Sequence, residues 1–282
     1  QLLERLKRFP MEPPLTADRA EEMVCAMENE LKALSSPVID VSLPPVGSDP
    51  RMVVVGDTHG QLQDVLHILE ENGPPSEEVA YLFNGDIVDR GRHAVEIWML
   101  IIAYKLAYPK SVYVLRGNHE NDQMIARPFK MGGGFTEECL SKYNHRVLAA
   151  FQRMFKLLPL FGVVEQEIFV VHGGLFRSPG VTLESLRTLP EADWQRNYPN
   201  PLKKDDMDRG KVWTRNEEIL FDALWADPHM GLGSKRSERG RVAVLFGHDV
   251  THGFLDDAGL ALCLRSHRVP QNGGGYEVEH GG

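Results

Sequence analysis

Cysteine is scarce: the 282 residues hold only three, Cys25, Cys139 and Cys263. Their odd number and wide spacing exclude a disulfide-stapled scaffold and a cysteine zinc site, and fit a reducing, intracellular setting. Long apolar runs are missing as well. The longest strongly apolar stretch, Ile97 to Ala103, falls far short of the roughly 20 residues that a bilayer-spanning helix needs, so no membrane span is expected. Basic residues are in deficit, with 31 Lys and Arg against 40 Asp and Glu, a net charge of −9. That balance argues against nucleic acid or an anionic membrane as a partner held by overall charge. Internal repeats and low-complexity tracts are absent. What remains, 42% apolar and 25% charged residues with 26 glycines, is the composition of a soluble globular protein and excludes disorder and collagen. The chain opens on Gln1 with no signal segment after it, and is expected to be a piece of a longer protein.

Residues 1–50 read as a helix and linker. Proline pairs at Pro13–Pro14 and Pro44–Pro45 flank a helix expected from about Ala17 to Leu34, capped by Thr16 or Asp18. Its Met23, Met27 and Leu31 form one apolar stripe, expected to pack on the main domain. From Arg51 onward one pattern recurs: a short apolar run stops abruptly at glycine, aspartate, asparagine or histidine. The runs are Met52–Val55, Val79–Phe83, Val112–Leu115, Ile168–Val171 and Ala261–Leu264. Such runs predict strands buried on both faces. Helical spacing separates the first three, through Leu62, Val65, Leu66 and Leu69 and then Val95, Trp98, Met99 and Ile102. Alternating strands and helices predict an α/β fold with polar residues gathered at strand ends, where such sheets hold ligands. Gly132–Gly134 and Gly273–Gly275 read as loops, and Leu202–Arg215 as a charged surface excursion.

The strand ends deliver Asp57, His59, Asp86, Asn118, His119, His172 and His267. All offer oxygen or imidazole and none thiolate, a set suited to divalent manganese, iron or zinc. Asp57 and His59 can turn toward one ion, and Asp86, with two carboxylate oxygens, can bridge two. Two ions roughly 3.5–4 Å apart can hold a hydroxide and clamp an in-line displacement at phosphorus. Hydrolysis of a phosphoester is the expected chemistry.

Gly56-Asp57-Thr58-His59-Gly60, Gly85-Asp86-Ile87-Val88-Asp89-Arg90-Gly91 and Arg116-Gly117-Asn118-His119-Glu120 resemble, in order, the three signature blocks of the PPP family of serine/threonine protein phosphatases, within the metallophosphoesterase superfamily. The resemblance runs on through His172-Gly173-Gly174, Leu224–Pro228, Arg239-Gly240, Phe246-Gly247 and Arg265-Ser266-His267. Phe83–Asp86, Val250-Thr251, Gly275–Val278 and His280–Gly282 are most similar to the branch of protein phosphatase 5 and the EF-hand phosphatases. The resemblance implies two mixed β-sheets packed together and flanked by helices, with residues 51–282 as the catalytic domain. It also implies further C-terminal strands with a Ser-Ala-Pro-Asn-Tyr-Cys loop, which this sequence lacks.

Carried over by residue, the resemblance implies one ion on Asp57, His59 and Asp86 and a second on Asp86, Asn118, His172 and His267. His119 becomes the general acid for the departing alcohol, oriented by Asp89. Arg90 and Arg239 grip the phosphoryl oxygens, with Asn118 beside them and Tyr276 at the pocket rim. Water, as a metal-bridging hydroxide, adds directly, with no phosphoenzyme. The implied partners are phosphoprotein substrates in signalling and a regulatory domain or subunit outside this chain, and the implied location is cytoplasmic or nuclear. Asp227 reads as a turn residue supporting Arg239. His67, His93, His145, His229, His248, His252 and His280 read as surface or structural.

Rival chemistries are weighed on the same letters. A cysteine phosphatase needs arginine six positions after its nucleophile, where this sequence has Leu31, His145 and Val269. A small-molecule phosphoesterase of the bis(nucleosyl)-tetraphosphatase or nucleotidase type shares the three blocks, but Arg239 and the Tyr276 segment favour the protein phosphatase. A catalytically silent metal scaffold would have no chemical need of His119, Asp89 and both arginines. The stretches Pro190–Leu224 and Met131–Phe135 read as insertions able to alter substrate choice.

Overall fold

The computed structural model describes residues 15–44, 50–198, 213–239, 242–271 and 274–281. The expectations for Pro13, Pro14, Pro45, most of Leu202–Arg215, Gly240, Gly273 and Gly282 lie outside them. The chain divides into two compact units, one of Gln1–Ser35, Leu43–Val114 and His119–Leu158, the other of Ser36–Ser42, Leu115–Asn118 and Pro159–Gly282.

In the first unit three strands, Arg51–Val55, Val79–Phe83 and Val112–Val114, form one parallel sheet with Val79–Phe83 in the middle. The two-sided burial that an unbroken apolar run predicts holds for this central strand, buried throughout. It fails for Arg51–Val55, whose Val54 is exposed; this strand lies at the sheet edge and pairs along one side only. Parallel register sets Val55 beside Phe83, so Gly56–His59 and Asn84–Asp86 leave the sheet at the same end.

Helices Leu62–Asn72 and Ala94–Ala107 supply the crossovers. The first buries Leu62, Val65, Leu66 and Leu69, as its spacing predicts. The second is buried all round from Ala94 to Ile102, which fits a helix without a polar face. Its Trp98 packs on Phe155, ring centres 5.3 Å apart, and Phe135 meets Phe151 edge-on at 5.2 Å. The N-terminal helix runs Ala17–Leu31, three residues shorter than expected, with the Thr16 hydroxyl accepting the Arg19 amide at its start. Met23, Met27 and Leu31 join the same core, alongside residues of helices Ala94–Ala107 and His145–Leu157.

The second unit holds a four-stranded mixed sheet in the order Val38–Val41, Phe161–Val164, Ile168–Val171, Leu262–Arg265. The Phe161–Val171 hairpin turns at Glu165 and Gln166, both with positive φ (51° and 57°). Residues 165–167 make a three-residue loop with no glycine or asparagine at its left-handed positions, and no local signal marks it in the sequence. A smaller mixed sheet joins Asp227–Pro228, Val244–Phe246 and Ser234–Arg236. The α/β class thus stands, with two of the three described sheets mixed and the other parallel. No described helix is long and apolar enough to cross a membrane.

Candidate active site

In the first unit the loops after Val55 and Phe83 interlock through their backbones. The amides of Thr58 and His59 both donate to the Asp86 carbonyl, and that of Gly60 donates to the Ile87 carbonyl. The amide of Gly91 donates to the His59 carbonyl at 2.8 Å. This close approach needs glycine: a Cβ on Gly91 would sit 2.3 Å from the His59 oxygen. His59, Asp86, Asp89 and Arg90 all adopt positive φ, between 41° and 71°. Such geometry costs on the order of 1 kcal/mol or more per non-glycine residue, so neighbouring structure must hold it.

Glu120 is one such support. Wholly buried, its carboxylate accepts the amides of Asp86 at 2.8 Å, Ile87 at 2.9 Å and Val88 at 3.3 Å. The sequence reading quotes Glu120 in a motif and assigns it no task. The available signal was the motif itself, which ends in a carboxylate at the carboxyl end of a strand.

The side chains converge on this frame. His59 Nδ1 donates to the Val88 carbonyl at 2.7 Å, which leaves Nε2 with its lone pair. That buried Nε2 finds no hydrogen-bond partner, yet lies 3.5 Å from Asp86 Oδ2 and 4.0 Å from Asp57 Oδ2. A lone pair facing two carboxylates is repulsive unless a cation lies between them, so this donor set fits a divalent ion. Burial lowers the His59 pKa, against the pull of Asp86, and keeps the imidazole neutral as a metal ligand must be.

His119 sits beside it, ring centres 4.8 Å apart, its amide donating to Asp86 Oδ1 at 2.8 Å. Its Nδ1 donates to Asp89 Oδ2 at 2.7 Å, and the other Asp89 oxygen accepts the Phe135 amide at 3.0 Å. Ligand atoms of His59, Asp86 and His119 all lie within 4.8 Å of one another. Burial pulls the His119 pKa down, but Asp86 and Asp89 outweigh it and the net shift is upward, toward a proton-carrying imidazolium. Burial raises the Asp89 pKa against its hydrogen bond to His119. Arg90 is exposed, and its amide donates to the Gly133 carbonyl at 3.0 Å.

In the second unit parallel register pairs Val171 with Arg265, so the residues that follow, His172 and His267, emerge together. Their rings lie 5.1 Å apart, and His172 Nε2 is 2.9 Å from Asn118 Oδ1. His172 is wholly buried. Gly173 passes so close to Leu224 that a Cβ there would meet its carbonyl carbon at 2.5 Å. Asp227 binds two arginines, accepting from Arg239 Nε and, at 2.8 Å, from Arg265 Nη2. Arg239 Nη2 donates in turn to the His267 carbonyl at 3.0 Å. Asp227 thus holds Arg239 beside a candidate ligand, and Arg265, to which the sequence reading gave no role, is its second clasp. Tyr276 lies on an exposed segment outside any strand.

Comparison with known proteins agrees with this geometry. Residues 50–271 match the family model described as calcineurin-like phosphoesterase. Serine/threonine-protein phosphatase T of Schizosaccharomyces pombe is 41% identical over 253 residues, 90% of this chain and 48% of its own length. Human serine/threonine-protein phosphatase 5 is 40% identical over 232 residues, 82% of this chain and 41% of its own. The chain thus spans about half the length of the curated relatives it matches. A solved Saccharomyces cerevisiae serine/threonine phosphatase, described as similar to human phosphatase 5, superposes with a TM-score of 0.75 at 29% identity. It covers 91% of this chain and 72% of its own. With the glycine-braced loops, the buried Asp89–His119 pair and a match over most of its length, this chain belongs to the calcineurin-like phosphoesterase family.

Proposed function

We propose that the chain is the catalytic part of a metal-dependent protein phosphatase that hydrolyses phosphoserine and phosphothreonine esters. One observation carries the reading: a buried histidine, His119, fixed at 2.7 Å on Asp89 and raised in pKa by its acidic neighbours. That is the equipment for delivering a proton to a poor alkoxide leaving group. The named relatives at about 40% identity support the protein substrate over the small-molecule alternative. Asp57, His59 and Asp86 would hold one divalent ion, and Asp86, Asn118, His172 and His267 a second, of manganese, iron or zinc. Bound ions would supply Lewis acidity and a water of lowered pKa.

The protein's own part is orientation and charge. By accepting from Nδ1–H, Asp89 fixes the ring and favours the imidazolium, whose second proton on Nε2 is then available to the departing oxygen. Arg90 and Arg239 would hold the phosphoryl oxygens through planar guanidinium forks, Arg239 already oriented by Asp227. Asn118 would add a contact to the phosphoryl group, and Tyr276 would border the substrate. We assign residues 1–50 to a helix and linker and 51–282 to the catalytic domain, in a cytoplasmic or nuclear signalling enzyme regulated by segments or subunits outside this chain. Three free thiols suit that setting.

Two measurements test the proposal. Comparing a phosphothreonine peptide, p-nitrophenyl phosphate and a dinucleoside tetraphosphate should show preference for the peptide; preference for the last overturns the substrate class. His119→Ala should cut kcat by at least about a hundredfold with metal content unchanged, and retained turnover would remove His119 as the acid.

A further inference from the structure

The loop 127–135 has features that hydrolysis itself does not use. It is fastened to the turn carrying Asp89 and Arg90 at two points, Arg90 N–H to the Gly133 carbonyl and Phe135 N–H to the Asp89 carboxylate oxygen Oδ1, each 3.0 Å. Side chains add two more. The Arg92 guanidinium lies 4.5 Å from the centre of the Phe129 ring, and Arg127 folds back to donate to the Met131 carbonyl. The loop is therefore a rigid ledge continuous with Arg90.

Its outward surface sets apolar side chains among cations. Phe129 and Met131, on a 3₁₀ turn, are exposed, Met131 by 56%. In a protein of net charge −9, residues 90–93 and 127–134 carry four cations, Arg90, Arg92, Arg127 and Lys130, and no carboxylate. Nearby acids are mostly committed elsewhere: Asp122 pairs with Lys156 at 2.9 Å and Glu138 with Lys142 at 2.8 Å. Glu137 is exposed at the start of helix Phe135–Lys142. Isolated apolar exposure means little. Apolar exposure set among unopposed cations, on a loop bonded to the phosphate-gripping turn, has a matching ligand.

We infer that this ledge is a substrate-docking surface that selects phosphopeptides with acidic residues flanking the phosphorylated serine or threonine. Arg92 and Lys130 meet the acidic side chains, and Phe129 and Met131 seat an apolar neighbour. The inference rests on the protein phosphatase reading above, and charge complementarity commits it to an acidic peptide.

The test uses the metal-loaded full chain and two phosphothreonine peptides differing only in flanking aspartates or lysines, with p-nitrophenyl phosphate as reference. Two or three exposed charge pairs predict a kcat/KM preference for the acidic peptide on the order of tenfold at low salt, shrinking toward unity by about 0.5 M NaCl. Lys130→Glu should reduce the ratio at least about threefold, and Met131→Ala should lower kcat/KM for both peptides without altering the ratio. Because the ratio is internal to each variant, a general loss of activity does not mimic the effect. Turnover of both peptides with a ratio at or below one overturns the docking inference alone. Hydrolysis of p-nitrophenyl phosphate with neither peptide cleaved overturns both it and the protein phosphatase reading.

Discussion

Replacing Glu120 by glutamine perturbs the backbone turn that carries Asp86. The native carboxylate serves three amides, with Oε2 on Asp86 and Oε1 on Ile87 and Val88. Glutamine keeps one oxygen. Its best placement leaves that oxygen on Ile87 and Val88 and turns its amide group against the Asp86 N–H, donor against donor. One buried N–H left unsatisfied costs about 1–3 kcal/mol, and losing the negative charge weakens the two remaining bonds. A total of about 2–4 kcal/mol follows, or a Tm lowered by about 3–7 °C in a chain of this size. The loss falls on a backbone already held at positive φ (Asp86, 51°), so the Asp86 carboxylate should lose its placement. Removing a partner that orients a ligand typically weakens metal affinity or activity by about 10- to 100-fold. Thermal unfolding, metal analysis after gel filtration and kcat together read the effect. A Glu120→Gln protein with unchanged Tm and full metal content would refute the argument that this carboxylate holds the turn.

Two further expectations concern the scaffold. Gly91→Ala places a methyl 2.3 Å from the His59 carbonyl and should force the two loops apart, lowering activity far more than the same change at Gly253, where nothing lies within 4 Å; equal effects would contradict the close packing. Burial pushes Glu138 up to about 7 from 4.5, so the folded protein binds a proton that the unfolded chain has released. This group's contribution to stability is therefore fullest below about pH 4.5 and is lost as pH rises toward 7. Glu138→Gln should flatten the fall of Tm between those values, and an unchanged slope would dismiss Glu138 as its source.

Much of this protein is legible from its letters because the chemistry requires particular residues at strand ends. Asp57, His59, Asp86 and His119 are named by motif, and the runs Val79–Phe83 and Ile168–Val171 coincide with strands as read. Composition and apolar spacing are local properties, and they decide the α/β class, the helices and the donor types. Tasks that depend on partners far apart in the chain were illegible. Glu120 is silent until the fold sets it under Asp86, 34 residues away, and Arg265 until Asp227 lies 38 residues back. The hairpin at Glu165–Gln166 was missed because its positive φ values are imposed by the strands and not signalled by glycine. The letters alone chose which oxygen and imidazole donors stand at the strand ends. Only the tertiary structure decided which tautomer His59 presents and which amides hold Asp86 in a left-handed turn. Hydrogen bonds and steric contacts between distant segments have no trace in local sequence.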